Sequence, residues 1–158
     1  MAVAKYYYQY YPDHRTQSCV LALYSVDSFM LTRDFLDEIC HHATKDGGVT
    51  VNVRSNKIIE RLDEWLFPRW PGETVVTTEK RLHASLAEFL SDEKEKIFDK
   101  ETLLGIWLHD GKYYIDLNAH VARFEDAVKL ARTYGDVAGR HVISAYNPAR
   151  DETREFPS

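Results

Sequence analysis

Apolar patterning in this chain of 158 residues points to an α+β protein, and three signals carry that reading. Val49-Thr50-Val51-Asn52-Val53 alternates with the two-residue period of a half-buried strand. Asp110-Gly111 lies between two β-rich runs, where a two-residue type I′ turn wants positive φ at both positions. Apolar stripes at helical spacing run through residues 32–45 and 124–134. Two ββαβ-like halves, about 5–53 and 103–145, are therefore expected on either side of two helices. They would form one mixed or antiparallel sheet with helices packed on it, or two small lobes. Residues 1–158 read as a single domain, with sub-lobes 1–54 and 102–158 bridged by 55–101.

The elements follow in chain order. Residues 5–11 hold five tyrosines and a glutamine, a strand composition that puts tyrosine on both faces. Pro12-Asp13-His14-Arg15 breaks the chain, and the apolar run 18–24 suits a central strand. Leu31, Phe35, Leu36, Ile39, Cys40 and Ala43 then predict a helix over 32–45, capped by Thr32 and stopped by Gly47-Gly48. After the valine strand, Ile58, Ile59, Leu62, Trp65 and Leu66 at helical spacing predict a helix over about 56–66, ended by Phe67-Pro68. A short strand is expected at 74–77, and a helix after Thr78 carries Leu82, Leu86, Phe89 and Leu90. Residues 91–101 alternate acids with lysines and read as a solvated extension or loop. The hairpin over 103–117 follows. Phe124, Ala127, Val128, Ala131 and Tyr134 form the stripe of a last helix with Gly135 at its end, and 141–145 is the returning strand.

Composition narrows the function classes. The chain is 44% hydrophobic and 28% charged, an ordinary globular balance, and its net charge of −5 supplies no overall positive field to draw it to phosphate backbones. Two cysteines, Cys19 and Cys40, are too few for a disulfide framework and read as buried thiols of a reducing compartment, so a cytoplasmic location is expected. No apolar run resembles a signal peptide or reaches the roughly 18 residues of a membrane span, so no membrane partner is expected.

Gly105-Ile106-Trp107, then Asp110-Gly111-Lys112-Tyr113-Tyr114-Ile115-Asp116, then Glu125-Asp126-Ala127-Val128-Lys129-Leu130-Ala131-Arg132 form a recurrent order of motifs. A Gly-x-Trp strand, a tight turn, a Tyr-x-Asp strand and a helix opening with acids and alanine succeed one another. This quarter to third of the chain resembles small uncharacterised proteins carried by bacteriophages and mobile elements. The resemblance implies a setting, an accessory protein of a phage or mobile element, and brings no catalytic residues with it. The related pattern often continues into a strand holding an acidic residue, where this chain has His141-Val142-Ile143-Ser144-Ala145.

Several constellations bear on chemistry. Asp34, Glu38, His41 and His42 share helix 32–45, with Glu38 three and four residues before the histidines, the spacing of a carboxylate–histidine metal site. A solvated polar face opposite Phe35 and Ile39 explains the same residues, with acids early and histidines late along the helix dipole. No metal ion or other cofactor is assigned. His109 and Asp110 at the hairpin tip, with Asp116 and His120, contain acid–base groups, although a turn is too wet to tune them by burial. Cys40 and its histidine neighbours point about 100° apart on a helix and do not form a nucleophile–base pair. Neither a GxGxxG nor a Walker-type motif is present. Arg54, Lys57, Arg61, Arg69, Lys80 and Arg81 provide a basic run with Trp65 and Trp70, yet acids interleave it, so nucleic acid is not the favoured partner.

The expectation is a non-enzymatic protein-binding accessory factor acting on a host protein, such as an inhibitor or modulator of host machinery including a defence system. Its anchors would be Tyr6, Tyr8, Tyr10, Trp65 and Trp70, with Asp92, Glu93 and Glu95 meeting a basic partner. A metal-dependent hydrolase or nuclease on the Asp34, Glu38, His41 and His42 face is the second reading, and nucleic-acid binding through the segment 54–81 is the third. A tyrosine-rich edge at 6–11 would also allow a homodimer.

Overall fold

The computed structural model describes residues 32–98 and 101–157. The expected strands at 5–11 and 18–24, Cys19, and the anchors Tyr6, Tyr8 and Tyr10 lie outside the described residues, and so does most of the first ββαβ half.

Helix α1 (Arg33–Asp46) forms where the apolar spacing places it. The Thr32 hydroxyl accepts the Phe35 amide at 3.2 Å, and Gly47 ends the helix at φ 77°, a left-handed conformation that glycine adopts without a Cβ clash. Phe35, Ile39 and Ala43, four residues apart, are its buried stripe. Strand β1 (Gly48–Asn52) follows directly.

The helix expected over 56–66 is a correction. Residues 53–55 make a 3₁₀ turn capped by the Asn52 side chain, and Asn56 at φ 50° turns the chain back, so that β2 (Lys57–Ile58) pairs antiparallel with β1. A loop leads to β3 (Trp65–Pro68), whose Trp65, Leu66 and Phe67 are 2%, 5% and 1% exposed. Three consecutive buried residues need neighbours on both faces, which a strand between other strands has and one apolar stripe of a helix lacks.

Strand β4 (Val75–Thr77) and helix α2 (Leu82–Asp92) match the spacing, with a 3₁₀ turn at 79–81 between them. The Thr77 and Ser85 hydroxyls join strand to helix inside the core at 2.8 Å. The charged stretch after α2 holds a single helical turn, α3 (Lys94–Ile97), with Ile97 buried. Strands β5 (Leu103–His109) and β6 (Lys112–Val121) are the expected hairpin, and its turn residues Asp110 and Gly111 have φ 48° and 71°. Helix α4 (Phe124–Ala138) runs past Gly135 and stops at Gly139, φ 63°. Gly135 is needed inside the helix because a Cβ there would lie 2.7 Å from the Arg140 carbonyl oxygen as the chain turns back. The returning strand sits later than expected, as β7 (Ser144–Asn147), and pairs with an unanticipated β8 (Glu152–Glu155).

These strands form one antiparallel eight-stranded sheet in the order β2-β1-β5-β6-β3-β7-β8, with β4 also on β6. The ten-residue β6 organises it: β5 pairs along one edge, while β4 takes Tyr113–Ile115 and β3 takes Asn118–Val121 on the other. Alternation along β6 assigns the faces. Tyr113, Ile115 and Leu117 enter a core with Phe35 and Ile39 of α1, Leu82, Leu86 and Phe89 of α2, and Ile106 of β5. Ala119, on the same side further along, joins Trp65 and Phe67 of β3 and Ala127 and Ala131 of α4 in a second cluster. The principal helices thus cover one face of the sheet. The α+β class holds, with a single antiparallel sheet.

Candidate functional site

The even positions of β6, Tyr114, Asp116 and Asn118, face away from those helices and line a groove of about 760 Å3. Its floor comes from β1, β5, β6 and β3. At one end it is lined by Ile58, Ile59 and Glu60, and at the other by residues 140–146 with Asp151 and Thr153. Cross-strand register explains why these side chains meet. Gly48 opposes Trp107 and Trp107 opposes Tyr114, while Thr50 opposes Gly105 and Gly105 opposes Asp116. Glycine on β5 makes room: a Cβ at Gly105 would stand 2.2 Å from the Asn118 side-chain nitrogen, so the amide lies over the bare backbone.

Trp107 and Tyr114 form an aromatic pair with ring centroids 4.7 Å apart and planes tilted by 31°, and His109 adjoins Trp107 at 5.7 Å. Trp107 is 45% exposed, a large apolar ring left open to solvent on a strand. Its indole nitrogen donates to Asp116 at 3.3 Å, and the Thr74 hydroxyl donates to the same carboxyl at 2.5 Å. Asp116 is buried, and burial pushes its carboxyl above the usual carboxylate range against the opposing pull of these two donors and of the Arg140 charge. Arg140 itself donates to the Pro71 carbonyl at 3.0 Å, fixing the chain after α4 against the turn that carries Thr74. At the far end, Tyr146 donates to Asp151 at 3.0 Å, and burial together with that carboxylate pushes the phenol up to about 12.

The other sequence-derived candidates fall elsewhere. Asp34, Glu38 and His41 are exposed on α1, while His42 pairs with Asp46 at 3.2 Å. Among the described residues, no group of three or more histidine, cysteine, aspartate or glutamate side chains is placed to hold a metal ion. Asp37, on the same helix, is paired with His83 of α2 at 3.0 Å. Trp65 is core, packed edge-on against Phe124 with centroids 4.9 Å apart, and does not present an anchor to a partner. Trp70 is half-buried beneath the Arg69 and Lys96 cations at 5.1 and 5.3 Å. Asp92 and Glu95 are exposed near the end of α2 and on α3, whereas Glu93 holds Lys96 at 2.7 Å.

Of the basic run, Arg54 donates to the Phe98 carbonyl at 3.1 Å, Lys57 is exposed on β2 and Arg61 in the loop after it, and Lys80 and Arg81 are exposed together on the 3₁₀ turn at 79–81. The acid–base groups divide as well. His109 meets Asp110 only at the open turn, 3.5 Å apart, and His120 makes a very short contact with Glu64. Burial, aided by Asp37, pushes the Cys40 thiol up to about 11, which is the opposite of what a thiolate nucleophile needs.

The groove residues were only partly visible in the sequence. Polar Tyr114, Asp116 and Asn118 alternating with Tyr113, Ile115 and Leu117 was a usable signal for a second, polar-lined face. Nothing local pointed to Arg140, Tyr146 or Thr74. No protein-family model, no curated protein and no solved structure matches this chain.

Proposed function

We propose that the protein is a non-enzymatic binding protein that engages a protein partner through the groove on the open face of its sheet. The observation that carries this reading is the half-exposed Trp107, packed against Tyr114 beside the buried Asp116 and Asn118. A rigid aromatic anchor beside fixed polar groups is what energetically dominant interface positions are made of. The lining mixes Leu66, Pro68 and Trp107 with polar groups, and the volume lies within the roughly 300–1,000 Å3 of ligand-binding clefts. The dispersal of the acid–base candidates favours binding over catalysis. In the phage or mobile-element setting that residues 105–132 suggest, the partner is a host protein whose activity is modulated by occupation of this groove.

The test is affinity capture from a host lysate with the wild-type protein and Trp107→Ala side by side. A partner retained by the wild type and lost by a folded Trp107→Ala protein supports the reading. Identical captures by both proteins would remove the groove from it.

A further inference from the structure

We propose that the groove takes an extended, basic peptide segment of about six residues, lying across the strands on the sheet face with its cationic side chains toward the two ends. This rests on the binding reading above and adds the chemistry of the occupant. Two features of the groove carry it.

The first is its length. Between its two ends, which carry Ile58 of β2 and Thr153 of β8, the groove crosses the sheet from β1 to β7 in the strand order β1-β5-β6-β3-β7. Four inter-strand steps of about 4.8 Å make roughly 19 Å, the reach of about six extended residues at about 3.3 Å each. The occupant lies over a face rather than along an edge, so side chains and not ladder hydrogen bonds recognise it.

The second is the sign and placement of charge. Asp46 and Glu60 lie toward the β1–β2 end, Asp151 lies at the β7–β8 end, and Asp116 is in the floor, whereas Arg140 is the one arginine or lysine of the lining among the described residues. His42, His141, Tyr114 and Tyr146 are the other titratable side chains of the lining among the described residues. The chain as a whole carries a net charge of −5, so the wider field reinforces the groove. Asp46 already contacts His42 and Asp151 accepts from Tyr146. A carboxylate has about four acceptor positions, so both keep capacity for an arginine or lysine. Between these ends Trp107, Tyr114, Leu66 and Pro68 surround Asp116 and Asn118 in the floor. The complementary segment therefore has basic residues near its ends and apolar or aromatic residues between them.

The probes are three fluorescein-labelled hexapeptides with one apolar centre and two arginines, two glutamines or two glutamates at the flanking positions. Fluorescence anisotropy with the full chain reads binding at low and high salt. The arginine peptide is expected to bind at least tenfold more tightly than the glutamate peptide. Raising ionic strength to about 0.5 M should weaken it severalfold, because charge pairing at an open groove is screened over several ångströms. The Asp46→Asn/Glu60→Gln protein, checked for native circular dichroism, should lose about fivefold in affinity for the arginine peptide and little for the glutamine one. Equal binding of all three peptides overturns the basic occupant while leaving a binding groove in place. If none of the three binds, the peptide proposal fails, and the Trp107→Ala capture comparison still judges the broader reading separately.

Discussion

Trp65 and Trp107 lie on strands of one sheet and have opposite structural roles, which makes alanine substitution at each a direct test of the architecture. Trp65 is 2% exposed, meets Phe124 at 4.9 Å and lies under the Arg154 guanidinium at 4.7 Å, whereas Trp107 is 45% exposed. Removing a buried tryptophan costs about 3–5 kcal/mol, partly for lost transfer energy and partly for the cavity left behind. With nearly all of its surface covered, Trp65→Ala should cost about 4 kcal/mol. Trp107 has little more than half of its surface covered and leaves an open notch rather than a cavity, so Trp107→Ala should cost about 2 kcal/mol, including the bond to Asp116. For a chain of this size each kcal/mol shifts Tm by about 2–4 °C, so the Trp65 variant should melt some ~8–16 °C below wild type and the Trp107 variant ~4–8 °C below. Urea titration followed by far-ultraviolet circular dichroism measures both, with the slope checked for constancy. A Trp65→Ala protein as stable as Trp107→Ala would refute the placement of β3 at the centre of the second core cluster. Loss of partner capture in Trp65→Ala at temperatures where it stays folded would count against Trp107 as the anchor.

Three further outcomes follow from individual residues. Burial raises the Asp116 carboxyl, so the folded state holds its proton more tightly than the unfolded chain; the resulting stability is fully present below the unfolded value of about 4 and is lost as pH rises through the folded one. Asp116→Asn should therefore improve relative to wild type as pH rises through that window, and a stability difference that stays flat from about pH 4 to 8 would show that burial does not govern this group. Asn147 is fully buried, donating to Asp63 at 2.9 Å and accepting the Arg150 amide at 3.2 Å, so Asn147→Ala should cost about 2 kcal/mol and speed amide exchange chiefly in β7 and β8. Exchange raised equally across β5 and β6 would contradict that local role. In a Cys19→Ser background, Cys40 at about 11 against an ordinary 9.0 holds about a hundredfold less thiolate near neutral pH, so iodoacetamide should label it slowly until urea unfolds the chain. Native labelling as fast as unfolded labelling would sink the buried-thiol assignment.

How far the fold could be read in advance depended on whether local chemistry and tertiary demand agreed. At α1 they agree, because the Thr32 cap, the four-residue spacing of Phe35, Ile39 and Ala43, and Gly47 all specify the same element. At the β5–β6 hairpin, Asp110 and Gly111 both need positive φ, and few residue pairs accept it. At 56–66 they disagree. Ile58, Ile59, Leu62, Trp65 and Leu66 satisfy a helical stripe, and no single residue forbids one. What overrides that spacing is the pairing of Trp65–Pro68 with Asn118–Val121 of β6 and of Leu66 with Tyr146 of β7. A partner strand roughly fifty residues away in sequence leaves no local trace. β8 was missed for a related reason: Glu152-Thr153-Arg154-Glu155 is polar, and only its ladder with β7 makes it a strand.

The candidate site divides along the same line. The amino-acid order by itself established the class of fold, the hairpin with its turn and the capped helix, because each of these is set by dihedral preference or periodicity over a few residues. The groove belongs to the folded molecule. Trp107 meets Tyr114 through hairpin register, Gly105 yields its space to Asn118, and Thr74 and Arg140 reach Asp116 from distant parts of the chain. Side-chain convergence of this kind depends on strand order, and strand order is set by which pairings bury the most apolar surface together, a property of the whole chain and not of any segment.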